Sequence, residues 1–280
     1  MGYKMKKLVK LNGILLAIIL GITSFLGCTN KKEAVIISED ITEEIKEQET
    51  VEASTADKFN YSDLVVDGLK LFMTESEVIA ILGDPVTTID STELPDKSEN
   101  QEDSTSKYYE IVYSYNELSL IFMKLDDTNH AVSSSSDEGV YKLTAAASIS
   151  EDNTFSRGLK VGEKLEDILA VYYRDQDYMN NYYKIDDSLI AGNYLYGDST
   201  IDTIEDDKIK GEFMYGLIDY TGYSSLETAE EYMVSFTCFD DTYKNTYASI
   251  ADDFAQLIFD MNNDGEITAI RWYYYPEEIN

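Results

Sequence analysis

The sequence predicts an α+β fold: two tandem helix-on-antiparallel-sheet units, over 59–149 and 150–280, behind a signal peptide (1–27) and a disordered tether (28–58). Three observations predict it. A ninety-residue repeat runs without a gap, helix punctuation recurs at the same place in each copy, and three alternating, strand-like segments follow each helix.

The amino-terminal element reads as an export signal. Lys4, Lys6, Lys7 and Lys10 precede an apolar run from Ile14 to Ile22, which ends Phe25-Leu26-Gly27-Cys28. A basic start stays on the cytoplasmic side, a short apolar stretch enters the translocon, and a small residue at Gly27 exposes the next bond to a peptidase. Gly27 and Cys28 resemble the cleavage motif of bacterial lipoproteins, with Phe25 where that family usually has leucine. The resemblance implies a mature chain beginning at a lipid-modified Cys28. An uncleaved anchor is the alternative, but it needs about 20 consecutive apolar residues, and Lys10, Asn12, Thr23 and Ser24 shorten the run. Both readings place everything after Cys28 outside the cytoplasm, at a membrane.

From Thr29 to Lys58 the chain is rich in Glu, Lys, Thr and Ser and has no aromatic residue. Such a composition buries too little apolar surface to offset its ordering entropy. A coil of this length reaches on the order of 30 Å.

The repeat begins where the tether ends. Asp67-Gly68-Leu69-Lys70-Leu71 returns as Arg157-Gly158-Leu159-Lys160-Val161, and Glu77, Val78, Ala80 and Ile81 then match Asp167, Ile168, Ala170 and Val171. In the first copy Thr74 and Glu77 form a capping box, and Gly83 with Pro85 stops the helix. In the second, Leu165, Ile168, Leu169 and Tyr172 fall at i, i+3, i+4 and i+7 on one helical face. Alternation then predicts strands over Tyr109 to Tyr115, Leu118 to Leu125 and Val140 to Ala147, and again over Glu231 to Phe239, Phe254 to Met261 and Glu266 to Tyr275. The links between helix and first strand are polar in the first copy (Ser91 to Lys107) and long and Tyr-rich in the second (Asp177 to Leu226). Nothing in the pattern says whether the two sheets join.

The stretch Gly68-Leu69-Lys70-Leu71-Phe72-Met73-Thr74-Glu75-Ser76-Glu77-Val78-Ile79-Ala80-Ile81-Leu82-Gly83-Asp84-Pro85 resembles the signature of the small lipoprotein of the outer-membrane barrel-assembly machine. Two such units in tandem resemble the β-lactamase inhibitor protein. Phe72 replaces the family's glycine, and the second copy keeps Gly162 but lacks the methionine and the closing glycine and proline. The resemblance implies a non-catalytic protein that grips another protein on a sheet face. It transfers no contact residue, because the motif positions cap and pack the helix.

Charge narrows the partner. With four of the 22 Lys and Arg in the signal and all 54 Asp and Glu beyond it, the mature chain carries a net charge of −36. Nucleic acid is excluded, since phosphate binding needs a basic stripe. A cationic protein or peptide is favoured, although plain colloidal solubility also explains the charge. Of 23 tyrosines, 16 lie from Tyr172 onward. Tyr offers broad contact area at low entropic cost, so Tyr194, Tyr196, Tyr220 and Tyr223 are the candidate recognition residues, against the plainer reading that they pack the sheet.

Chemistry-bearing patterns are few. Asp260, Asn262, Asp264 and Gly265 match half of a calcium loop, but Arg271 stands at the twelfth position where a bidentate carboxylate is required. Asn263-Asp264-Gly265 reads better as a hairpin turn. Cys238 alternates into a strand, and the single histidine, His130, lies in a polar loop, so a Cys–His pair is not expected. No phosphate loop, serine elbow or metal-ligand spacing is present, and no cofactor, metal or catalytic residue is expected. The alternative function is a carbohydrate-binding or carbohydrate-active surface protein using Tyr, Trp272 and a carboxylate pair such as Asp186-Asp187 or Asp206-Asp207. A solute-binding lipoprotein is disfavoured, for want of two α/β lobes.

Overall fold

A computed structural model describes residues 55–90, 109–132, 138–186, 189–197, 204–205, 208–209, 214–239 and 254–276. Cys28, the tether up to residue 54, the link over 91–108 and Asp206-Asp207 lie outside them. From Ala53 onward the chain forms one compact unit.

A two-residue hairpin, β1 (Val65–Val66) and β2 (Leu69–Lys70), opens the fold and leads into helix α1 (Glu75–Leu82). Strands β3 (Thr87–Asp90), β4 (Glu110–Tyr115), β5 (Leu118–Leu125) and β6 (Val140–Ser148) follow. Helix α2 (Leu165–Val171) comes next, then β7 (Tyr182–Asp186), β8 (Leu189–Tyr196), a small pair β9 (Ile204–Glu205) with β10 (Lys208–Ile209), and β11 (Met214–Asp219). Three nine-residue strands close the chain: β12 (Glu231–Phe239), β13 (Phe254–Asn262) and β14 (Ile267–Tyr275).

Ten of these strands make one antiparallel sheet in the order β3-β4-β5-β6-β14-β13-β12-β11-β8-β7. The seam lies at its centre, where β6 pairs with β14 through Ala145↔Tyr273, Ala146↔Trp272, Ala147↔Arg271 and Ser148↔Ile270. The expected α+β class, with two tandem helix-on-sheet units, is therefore corrected. Among the described residues the protein is mostly β, and the two α-helices there are only 8 and 7 residues long. The physical reason is a long-range one: pairing β6 with β14 fuses both sets of strands, and the Tyr-rich link supplies β7, β8 and β11 to the same sheet. Each helix spans about two turns, too short to be a layer in its own right.

Local signals hold where they are local. Thr74 caps α1, with Glu77 Oε2 accepting from the Thr74 amide at 2.8 Å, and the Gly83 amide closes the helix on the Ile79 carbonyl. The carboxylate of Glu77 is held below its ordinary range chiefly by that backbone hydrogen bond. The ninety-residue register also shows in the backbone: Asp67 and Gly68 (φ 48° and 82°) adopt the left-handed turn that Arg157 and Gly158 (φ 57° and 86°) repeat. The two turns meet, since Val66 bridges Phe155 and the Asp67 carboxylate accepts from Thr154 N at 2.8 Å and Asn153 Nδ2 at 2.6 Å.

Both helices cover the same face of the sheet. Val78, Ile168 and Tyr172 join Leu118, Leu120, Phe122, Val234, Phe236, Leu257, Phe259 and Trp272 in one buried cluster. Phe236 is its hub in the second half, stacked on Tyr172 at 4.4 Å between centroids and on Tyr196 at 6.3 Å. Gly216 makes that stack possible, because a Cβ there would stand 2.8 Å from the Tyr196 ring and 3.0 Å from Phe236.

Candidate functional site

Strand alternation sends every second residue to the face that the helices leave uncovered. In β12, β13 and β14 the helix-side residues are Val234, Phe236, Cys238, Ala255, Leu257, Phe259, Ile270, Trp272 and Tyr274, all buried in the main core. The opposite positions are Met233, Ser235 and Thr237; Phe254, Gln256, Ile258 and Asp260; and Arg271, Tyr273 and Tyr275. In β11 they are Tyr215, Leu217 and Asp219, and Tyr194 stands opposite Leu217.

These side chains build a trough. One wall is aromatic: Phe254 stacks on Tyr275 at 4.7 Å, and Tyr273 meets Tyr275 edge-on at 4.9 Å. The other wall is the Tyr194–Tyr215 pair, with centroids 6.4 Å apart. Between them the floor is made of small or polar residues in register: Tyr273↔Gln256, Gln256↔Thr237 and Thr237↔Tyr215 in one row, Arg271↔Ile258, Ile258↔Ser235 and Ser235↔Leu217 in the next. Three strand spacings separate β14 from β11, about 14 Å at ~4.8 Å each. The large wall residues are half-buried, whereas Thr237, Ser235 and Ile258 between them are buried.

Charge enters the trough at one end. Arg271 Nη2 donates to Asp260 Oδ1 at 2.9 Å and to Met233 Sδ at 3.4 Å, while its Nε is buried without a partner among the described residues. Burial raises the Asp260 carboxyl above its ordinary value, against the lowering effect of Arg271 and with a further push from Glu231. Burial likewise pushes the Tyr273 hydroxyl well up, opposed by Arg271 and reinforced by Tyr215 across the floor. Gln256 Nε2 donates to Thr237 Oγ1 at 3.2 Å, leaving the floor a mixed hydrogen-bonding surface.

Glu110 opens β4 on the same face as Val112 and Ser114, and burial pushes its carboxyl up to about 7. A raised acid favours the protonated native state, so its desolvation cost is absent below about pH 4.5 and grows as pH rises to 7. Glu110→Gln should therefore stabilise the protein by about 1–3 kcal/mol at pH 8 and leave it unchanged at pH 4. Denaturant midpoints of the two proteins across pH 4–8 check this; parallel curves would contradict it.

The expected recognition tyrosines divide. Tyr194 lies on the trough wall. Tyr196 is buried on the other side of the sheet, its hydroxyl accepting from Phe59 N at 3.3 Å. Tyr220 is buried too, donating to Asn193 Oδ1 at 2.9 Å, and half-buried Tyr223 packs against the same core. The structure thus does not bring the four together as one surface. The run Tyr273-Tyr274-Tyr275 hides the same division: Tyr274 faces the core and its neighbours face the trough. Tyr215, Phe254, Gln256 and Arg271 were missed, although the two-residue period of β11, β13 and β14 marks them.

The other singled-out groups are occupied structurally. Asp260 is paired with Arg271, the very residue that breaks the calcium-loop pattern, and the Asn262 carboxamide accepts from Asp264 N and Glu266 N to shape the β13–β14 turn. Lys164 Nζ ties that turn to the start of α2 through Glu266 Oε1 at 2.9 Å. Cys238 is fully buried in β12, and His130 contacts Thr128 Oγ1 at 2.7 Å in the loop after β5. Trp272 is fully buried on the helix side, which removes it from any sugar-stacking surface. The side chain of Asp186 lies outside the described residues, as do Asp187, Asp206 and Asp207.

No helix among the described residues is long and apolar enough to cross a membrane, and no group of three or more metal-ligating side chains occurs among them. Comparison of the chain with protein-family models, curated proteins and solved structures gives no match. The functional reading rests on sequence and geometry.

Proposed function

We propose that this chain is an extracytoplasmic lipoprotein, held at the outer face of the cell membrane by a lipid on Cys28, that binds a protein or peptide partner in the trough without catalysing a reaction. The observation that carries the proposal is the trough itself: aromatic walls about three strands apart over a floor of Gln256, Thr237 and Ser235. An extended chain or a protruding loop is about 10 Å across with its side chains, so it fits between those walls. Tyr and Arg are the side chains that dominate protein interfaces energetically. The mature charge of −36 favours a partner that is cationic.

Two measurements test the two halves of the proposal. Cys28→Ser should abolish incorporation of labelled palmitate and release the protein from the membrane fraction; labelled lipid retained on the variant would sink the anchoring half. Tyr215→Ala combined with Tyr275→Ala should weaken capture of surface partners roughly 30-fold or more, the worth of one interface hot spot. Their melting temperature should stay within a few degrees of the parent, because neither ring belongs to the main core. An unchanged set of captured partners at unchanged affinity would refute the trough as the binding surface.

A further inference from the structure

Strand alternation places residues two apart on one face of a sheet. Tyr194 and Tyr196, two apart in β8, lie on opposite faces. Tyr194 stands opposite Leu217 on the trough side, whereas Tyr196 stands opposite Gly216 and is buried in the main core on the helix side. The pairing of β8 with β11 is irregular at this point: Leu195 has no partner in β11, so β8 carries one extra residue. Such a bulge re-aims the side chains beside it. In a regular ladder Tyr194 would share the face of Tyr196, and with Tyr196 in the core the trough would lose part of one wall.

The groups that hold the bulge come from outside the sheet. The Leu195 carbonyl accepts from Asp175 N at 2.7 Å, in the segment that follows α2. The Tyr196 hydroxyl accepts from Phe59 N at 3.3 Å, and its ring meets Tyr173 edge-on at 5.6 Å. Lys58 Nζ lies over both of these rings, 5.4 Å from the Tyr173 centroid and 5.3 Å from that of Tyr196. Tyr173 in turn donates its amide to the Asp57 carbonyl at 3.2 Å and its hydroxyl to Asp175 Oδ1 at 2.8 Å. Asp57 to Phe59 thus form a strap behind the bulge, and Arg157 fixes the strap by donating to the carbonyls of Asp57 and Lys58. The strap is also the covalent route from the sheet to everything amino-terminal of it, Cys28 included.

We propose that Lys58 and the Phe59 amide are positioning groups for the trough: through Tyr196 they hold the bulge that aims Tyr194, and so couple the point of attachment of the chain to its binding surface. The purpose of this coupling rests on the function proposed above; the geometry does not. A pull that draws the strap off Tyr196 relaxes the wall at Tyr194 and leaves the opposite wall, Tyr273 and Tyr275, in place.

The test uses the full chain, free of any partner, with 3-fluorotyrosine at position 194 or, as reference, at position 275. Fluorine NMR then measures the population of rings displaced from the main resonance. Lys58→Ala should raise the displaced population at 194 roughly fivefold to tenfold, the worth of an ammonium shared by two rings. Position 275 should not respond. Lys58→Arg, which keeps a cation over both rings, should restore the parent spectrum. Tyr196→Phe, which removes the hydroxyl but not the ring, should act in the same direction as Lys58→Ala; if it fails to fold, the two Lys58 variants still decide the matter. An unchanged population at 194 in folded Lys58→Ala would overturn the proposal. Equal changes at 194 and 275 would do the same, because they would mean general loosening rather than positioning of one wall. These spectra are recorded without a partner, so their outcome is independent of whether the Tyr215 and Tyr275 variants lose capture.

Discussion

Arg157→Ala should lower the stability of the protein by about 3–5 kcal/mol, the cost of leaving one partner of a buried ion pair uncompensated. The guanidinium forks onto Asp63, with Nε to Oδ1 at 2.9 Å and Nη2 to Oδ2 at 2.7 Å. Nη1 donates to the carbonyls of Asp57 (2.7 Å) and Val171 (2.6 Å), and Nη2 also to that of Lys58 (3.0 Å). Its Cζ lies over the ring of buried Tyr172, 4.0 Å from the centroid. One side chain thus ties the first described segment of the chain to the end of α2, and Asp63 is itself buried. For a unit of this size 1 kcal/mol is worth about 2–4 °C, so the melting temperature should fall by roughly 6–20 °C.

Two companions separate the causes. Arg157 sits at φ 57°, a left-handed conformation that costs most residues about 1 kcal/mol and glycine almost nothing. Arg157→Gly should therefore be about 1 kcal/mol less damaging than Arg157→Ala. Arg157→Lys keeps the charge but not the fork, and should recover only part of the loss. A melting temperature of Arg157→Ala within 3 °C of the parent would contradict the clasp.

The second large effect is expected at the seam. Trp272→Ala should cost about 3–5 kcal/mol, because the ring is fully buried in β14 with neighbours on both flanks, Ala146 in β6 and Leu257 in β13. Ala146, its cross-strand partner, is itself small and buried. Trp272→Phe should cost less, about 1–2 kcal/mol, since the indole Nε1 is buried without a partner among the described residues and phenylalanine abandons no hydrogen bond there. Trp272 is the only tryptophan in the chain, so its fluorescence reports the centre of the sheet alone. In the parent its denaturation curve should coincide with the loss of far-ultraviolet circular dichroism, as one cooperative sheet requires. Two separated transitions would mean that the β6–β14 pairing does not join the halves.

What could be read in advance from the residues was what short stretches determine. The capping box at Thr74, the stop at Gly83, the turn at Asn263 to Gly265 and the six alternating strands all depend on neighbours in sequence, and each lies within a residue of where its pattern places it. The α+β class failed because it depends on pairing between residues far apart: Ala145 to Ala147 against Arg271 to Tyr273 carries no local mark. The link from Asp177 to Leu226 misled for the same reason. Its Gly and Tyr composition resembles a surface loop, yet Gly192 and Gly216 are glycines because strands pack closely there; a Cβ at Gly192 would stand 2.1 Å from the Ile218 carbonyl oxygen. Tyr196 and Tyr220 have the composition of recognition residues, but an irregularity in the β8–β11 pairing at Leu195 turns Tyr196 to the face opposite Tyr194, and Tyr220, just past β11, is buried with its hydroxyl on Asn193. Composition names the residue types of a site, but only register assigns them to a face.

The reading of function stands or falls on the trough. A photo-crosslinking side chain placed at Tyr215 or Tyr275, with Thr228 on an exposed turn as reference, would be irradiated on intact cells that display the protein. The account predicts a discrete adduct of the same partner from both trough positions and none from position 228. Adducts from position 228 with none from the trough, or the same indiscriminate smear from all three, would contradict it.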